Sequence, residues 1–170
     1  DNCRPVANAD QLDTNVDGIG DACDGIPNPD QKLPPSCGEV TWLEVDANRM
    51  AHSAHTTVDG GFNFALPCTQ TANAEDRVYA FQAPAAGRWR FDTLGSEFDT
   101  ALAVVSHCRA DRGQSLSCND DGQQMGRSQL DILLEVEQLV FIVVDGYGSE
   151  GGQYELNAIC VDCQGIPDAD

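Results

Sequence analysis

The residues with the clearest chemistry in this 170-residue chain are oxygen ligands: Asp13, Asn15, Asp17, Asp21 and Asp24, with Gly18 and Ile19 among them. Side-chain oxygens at alternate positions of a short loop point at one centre. Calcium takes roughly six to eight oxygens in a flexible shell, and this spacing suits it. Gly18 permits the sharp turn after the third ligand, and Ile19 offers its main-chain carbonyl. Without a cation these carboxylates would repel one another. A merely solvated acidic loop has no need of the alternation, nor of a glycine in register with it.

A second set of hard oxygen donors is Asp99, Asn119, Asp120 and Asp121. Two loops bringing these together would make another calcium site, with Asp76 as a further contributor. The competing reading is a capped turn at Asp99 and a solvated Asn-Asp-Asp turn. His52 and His55 are spaced as neighbours on a helix, but no glutamate lies between them as in a zinc-protease helix, and surface histidines are the better reading. Gly95-Ser96-Glu97 lacks the second glycine of a nucleophile elbow. Carboxylate pairs are abundant in so acidic a chain and carry little weight as glycosidase evidence. Tyr147, between Gly146 and Gly148, is the aromatic best placed to contact a sugar or a protein from a loop, and Trp89 reads as core.

The formal net charge is −19, and Lys32 is the single lysine. Nucleic-acid or anionic-membrane binding needs a basic patch, so neither is expected. No apolar run reaches the ~20 residues of a membrane-spanning helix. Eight cysteines, an even number, fit an oxidising compartment, as does calcium. The chain is therefore expected to be secreted or at the cell surface. Neighbouring cysteines favour Cys108–Cys118 and Cys37–Cys68, with Cys160–Cys163 remaining; Cys37 reaching Cys160 or Cys163 is the rival arrangement. A zinc or thioredoxin role for Cys160 and Cys163 lacks partners and a following helix.

The elements that must position these residues read as strands. Thr41–Val45 and Gly61–Leu66 suggest the first two, while 46–60 is ambiguous between a turn of helix and a loop. Arg88-Trp89-Arg90-Phe91-Asp92 alternates rings with charges, as on a half-buried strand. Phe98–Val105 is mostly apolar, Leu130–Val136 and Gln153–Ala158 alternate, and Leu139–Val144, apolar on both faces, should be central. Pro84–Gly87, Asp121-Gly122, Asp145-Gly146 and Gly151-Gly152 supply turns. No stretch has helical periodicity. About seven or eight short strands with such turns predict an all-β, antiparallel, jelly-roll-like β-sandwich.

Two resemblances add to this. Asp1-Asn-Cys3 through Asn8 and Gln11 to Cys23-Asp24 closely resembles a thrombospondin type 3 repeat. The resemblance implies an irregular, disulfide-pinned repeat wrapped around calcium. It implies Asp13, Asn15, Asp17, the Ile19 carbonyl and Asp24 as ligands, Asp21 directly or through water, and Asp1 and Asn8 for a neighbouring site. It also implies a Cys3–Cys23 bond. Asn15 stands where that family usually has Asp. Further on, Glu75–Thr93, Ser96–Leu102, Cys118–Asp121 and Phe141–Gly146 resemble the bacterial pre-peptidase C-terminal family over about 37–160. That implies a non-catalytic sandwich attached to secreted enzymes or surface proteins.

The expected layout is a calcium repeat at 1–24, a proline-rich semi-rigid linker at 25–36, a sandwich at 37–163, and the start of a further repeat or linker at 164–170. The expected function is a non-catalytic, calcium-binding extracellular module, serving as rigid spacer and adhesion or interaction domain of a larger secreted or surface protein. The alternative is a carbohydrate- or matrix-protein-binding accessory module of a secreted hydrolase, and an enzyme ranks below both. Calcium is the expected cofactor, and an extracellular protein or polysaccharide the expected partner.

Overall fold

The computed structural model describes residues 40–60, 64–69, 75–108, 115–122 and 124–163. The chain divides into two compact units, Asp1–Glu39 and Val40–Asp170. The calcium loop from Asp13 to Asp24, the sites at Asp1 and Asn8, the linker at 25–36, Cys3, Cys23, Cys37 and the tail at 164–170 all lie outside the described residues.

The described residues form nine strands and no helix. These are β1 (Thr41–Trp42), β2 (Met50–Thr56), β3 (Arg77–Gln82), β4 (Gly87–Asp92), β5 (Thr100–Val105), β6 (Ser115–Asn119), β7 (Gln129–Leu134), β8 (Leu139–Gly146) and β9 (Gln153–Cys160). One sheet has the order β1-β3-β8-β5-β6, the other β2-β9-β4-β7. β1 pairs with β3 in parallel, and the remaining pairings are antiparallel. Two facing sheets are the all-β sandwich the alternation predicts.

The inner faces meet through large side chains set at alternate positions. Tyr79, Phe81, Leu102, Val104, Val140, Ile142 and Val144 come from the five-stranded sheet; Trp89, Phe91, Leu130, Leu134, Tyr154, Leu156 and Ala158 come from the other. The Phe81 ring stands edge-on to Trp89 at 4.9 Å and to Phe91 at 5.0 Å. Such edge-to-face contacts add to the area term. The polar ends of these rings are satisfied: Trp89 Nε1–H donates to the Ala85 carbonyl at 3.1 Å, and the Tyr79 and Tyr154 hydroxyls bond to each other at 2.6 Å.

β8 is the middle strand of its sheet, as its two-sided apolarity predicts, and its far face is buried too. Val78, Ala80, Ala101, Ala103, Phe141 and Val143 occupy that outer face and are buried there. Gly87, which opens β4, has φ +149°, and an added Cβ would sit 2.6 Å from the Cys163 Cα, so only glycine lets Cys163 pack there.

Several expectations change. The segment read as helix or loop at 46–60 contains strand β2, because the Met50–Thr56 run pairs along β9 from Met50↔Ile159 to Thr56↔Gln153. Residues 64–66, expected to end a strand, are not in one, and the strand read over Thr41–Val45 shortens to Thr41–Trp42. Polar Ser115–Asn119 forms an edge strand that the pattern missed. Cys118 does not bond to Cys108, nor Cys68 to Cys37. Cys68 bonds to Cys118 across 50 residues, with Cα atoms 5.7 Å apart. β6 pairs with β5 and carries Cys118 to where the Phe64–Thr69 segment crosses, so proximity in sequence did not decide the pairing. Cys108 is also disulfide-bonded. Cys160–Cys163 forms as expected.

This connectivity is open to direct reading. Trypsin cuts after Arg109 and Arg112, separating Cys108 from Cys118. Non-reducing peptide mapping is expected to recover the Met50–Arg77 peptide joined to Gly113–Arg127. Recovery of Phe91–Arg109 joined to Gly113–Arg127 would refute the Cys68–Cys118 bond and the strand arrangement that brings it about.

Candidate functional site

Two acidic places stand out on the sandwich. The first gathers Asp99 and the Asn119–Asp121 loop. Asp99 precedes β5, and Asn119, Asp120 and Asp121 end β6 and begin the next loop. Beneath them lies a buried hydroxyl network. Thr93 Oγ1 and Thr100 Oγ1 are 2.5 Å apart, Ser128 N–H donates to Thr93 Oγ1 at 2.9 Å, and Ser128 Oγ contacts the carbonyls of Thr100 at 2.6 Å and Asp120 at 3.2 Å. This ties the ends of both sheets together and fixes the acidic loops above.

Burial raises the Asp99 carboxyl above its ordinary range, and Asp121, Glu150 and Asp120 push it further in the same direction, against Arg127. The local polar groups are used by the main chain. Glu150 Oε2 accepts Asp99 N–H at 3.0 Å, Asp121 Oδ1 accepts Gly126 N–H at 2.9 Å, and Arg127 Nη1–H donates to the Phe98 carbonyl at 2.8 Å. The structure thus brings Asp99, Asp120 and Asp121 into one electrostatic neighbourhood and adds Glu150. Among the described residues, no three His, Cys, Asp or Glu side chains close to metal-holding geometry. Tyr147 lies in the same loop region, partly buried, with its N–H bonded to the Asp99 carbonyl at 2.8 Å.

His52 and His55 do not come together. They lie three apart on strand β2, where successive side chains point to opposite faces. His52 Nε2 instead meets the Glu155 carboxylate on the neighbouring strand, and His55 Nδ1 accepts the Thr56 N–H at 2.8 Å.

The second acidic place was not singled out as a pair. Asp76 sits just before β3 and Asp145 within β8, one register step beyond the Arg77↔Val144 pair, so they stand opposite each other. By alternation both lie on the outer face of the five-stranded sheet, in line with Val78 and Val143. Asp76 is 0% exposed and Asp145 1%. Phe64 N–H donates to Asp76 Oδ2, and Gly146 N–H donates to Asp145 Oδ1 at 2.6 Å. The other oxygens, Asp76 Oδ1 and Asp145 Oδ2, are buried, and apart from the hydrogen bond between the two carboxyls they meet no donor among the described residues. A buried acceptor left unpartnered costs about 1–3 kcal/mol, and like charges directly opposite on a sheet destabilise it.

Burial pushes Asp76 up to about 9, with its hydrogen bond to Asp145 adding to the rise, and burial raises Asp145 as well. The sequence did carry a signal. Asp145 interrupts a strand that is apolar on both faces, and Asp76 falls two residues before Val78 on the same face.

No family model matches the chain, and no curated protein matches it. Among solved structures it is similar to a crystal structure of the pre-peptidase C-terminal domain of collagenase from Bacillus anthracis, at 11% identity and a TM-score of 0.46, covering 71% of this chain and 94% of that one.

The acid pair sets a sign for pH dependence. A carboxyl whose folded pKa lies above its unfolded value, near ~4, binds its proton more tightly in the folded chain. Its contribution is complete below the unfolded value and lost as pH rises through the folded one, about 9 for Asp76. In chelator, the melting temperature is therefore expected to fall between about pH 5 and pH 9, and Asp76→Asn to flatten that slope. A slope unchanged in the variant would contradict the assignment.

Proposed function

We propose that this chain is a non-catalytic, calcium-binding module of an extracellular protein, in which a calcium-built N-terminal segment acts as a spacer and the β-sandwich as an interaction domain. The observation that carries this reading is the spacing of Asp13, Asn15, Asp17, Asp21 and Asp24 around Gly18 and Ile19. That segment has little to bury beyond Val6, Leu12, Val16 and Ile19. A disulfide contributes typically ~2–4 kcal/mol, which alone would barely order it. A cation that binds only the folded loop stabilises it in proportion to occupancy.

The sandwich supports the extracellular part. Every cysteine among the described residues is disulfide-bonded, and such bonds persist in oxidising compartments. No helix among the described residues is long and apolar enough to cross a membrane.

Calorimetric titration of the chelator-stripped whole chain tests the reading, with magnesium as control and calcium taken to millimolar, since extracellular sites can be as weak as ~10⁻⁴–10⁻³ M. Saturable, calcium-selective heat is expected, and Asp13→Asn with Asp17→Asn should remove one binding event. Identical isotherms for the two proteins would refute the loop site.

A further inference from the structure

Strand β7 breaks its own alternation. Leu130, Ile132 and Leu134 point into the core and Asp131 points out, yet the next outward position is Leu133, 71% exposed. It is the most exposed large apolar side chain on any described strand. β7 is also an edge of the four-stranded sheet. Thr93 N–H donates to the Ser128 carbonyl at 3.0 Å, which sets the phase of the ladder. Even-numbered residues of β7 bond to β4, and the N–H and carbonyl of Asp131 and Leu133 point away from the sheet. Among the described residues nothing meets these main-chain groups. The opposite edge, β2, is guarded. Asp46 Oδ1 accepts the Met50 N–H at 2.9 Å, His55 Nδ1 accepts the Thr56 N–H at 2.8 Å, and Arg77 Nε donates to the Thr56 carbonyl at 2.9 Å. β7 has no lysine, proline or bulge to guard it. Its one charge, Asp131, is held by Arg90 on the neighbouring strand, from Nε at 2.7 Å and Nη2 at 2.9 Å.

We propose that β7 pairs with β7 of a second copy of this chain, antiparallel about a two-fold axis at Ile132, so that the two four-stranded sheets join. In that register Asp131 stands opposite the partner's Leu133. Each such pair exchanges two main-chain hydrogen bonds, so the open groups of both strands are all used. The two Leu133 side chains lie diagonal to each other across the axis, within reach of mutual cover. Arg90 neutralises Asp131 in both copies, so the pairing brings no unbalanced like charges together along the strand. The ends of the open stretch favour a copy over a longer extended peptide. Gly122 N–H donates to the Arg127 carbonyl at 2.6 Å, and a Cβ added at Gly122 would sit 2.8 Å from the Gln129 Cβ. That loop therefore covers the edge at Gln129, and a strand running on would collide with it. In a copy the residue opposite Gln129 is Glu135, whose carbonyl accepts the Gln138 N–H at 3.2 Å in a turn, so the chain leaves the sheet there. The pairing gives the sandwich of the proposed interaction module a partner and rests on that reading in this respect alone; it needs no metal.

Sedimentation of the whole chain tests this, in chelator and about 0.15 M salt, which screens the net charge of −19. Pairing through so small a surface is weak, so the protein is taken to about 1 mM. The weight-average mass is expected to rise with concentration towards twice that of the monomer. Leu133→Asp, at an exposed position that leaves the core intact, should weaken association about tenfold or more. Leu116→Asp, exposed on edge strand β6 of the other sheet, should leave it unchanged. Amide exchange read by NMR gives a second measurement, with the Asp131 and Leu133 amides expected to exchange more slowly in the concentrated sample. A chain that stays monomeric at the highest concentration overturns the proposal. So does association that survives Leu133→Asp or leaves both amides unprotected, since the contact then lies elsewhere. Leu133→Asp is expected to bind calcium as the unaltered chain does, so failure of the pairing and failure of the calcium loop are read separately.

Discussion

The sandwich depends on one contact between its sheets. Phe81, on the five-stranded sheet, presents its ring edge-on to Trp89 and Phe91 of the four-stranded sheet, and all three are fully buried. A one-residue slip in either strand would carry these rings to the outer face, so this packing and strand register specify each other. Tyr79 and Tyr154 repeat the arrangement nearer one end, with their hydroxyls bonded to each other and Tyr79 also to Ser53. From that register follow the positions of everything acidic. Asp76 meets Asp145 because β3 and β8 are aligned through Phe81↔Val140, and Asp99 meets the Asp120–Asp121 loop because β5 is aligned with β6.

The two acidic places differ in the way a function requires. At Asp99 the carboxylates are partly exposed, and several already accept main-chain hydrogen bonds, so solvent and the backbone offset their mutual repulsion. At Asp76 and Asp145 there is no solvent to do so. Two carboxyls buried opposite each other resist ionisation, and the fold sets them in an apolar surround of Val78, Val143 and Ala101.

Much of this was legible in the sequence. The alternation in Arg88–Asp92, with Trp89 and Phe91 inward, and the double apolarity of Leu139–Val144 pointed to the sandwich and its central strand. What the pattern missed has physical reasons. β2, Met-Ala-His-Ser-Ala-His-Thr, is an edge strand with few large apolar residues, held by its pairing with β9. β6 is polar and exists because β5 offers it a partner. The Cys68–Cys118 bond follows from three-dimensional proximity, which linear spacing does not encode. Asp99 and Asp121 were singled out because aspartates in loops are a ready source of hard oxygen ligands. Asp76 and Asp145, far apart in the chain and each beside an apolar strand, required the register to be seen as a pair.

Hydrogen exchange of the whole chain, followed by mass spectrometry in chelator and in millimolar calcium, tests the central claim that calcium builds this module. Calcium is expected to slow exchange in peptides covering residues 10–25, while the Trp89 and Phe91 strand, already locked by the core, changes little. Exchange over residues 10–25 that is indifferent to calcium would contradict the claim.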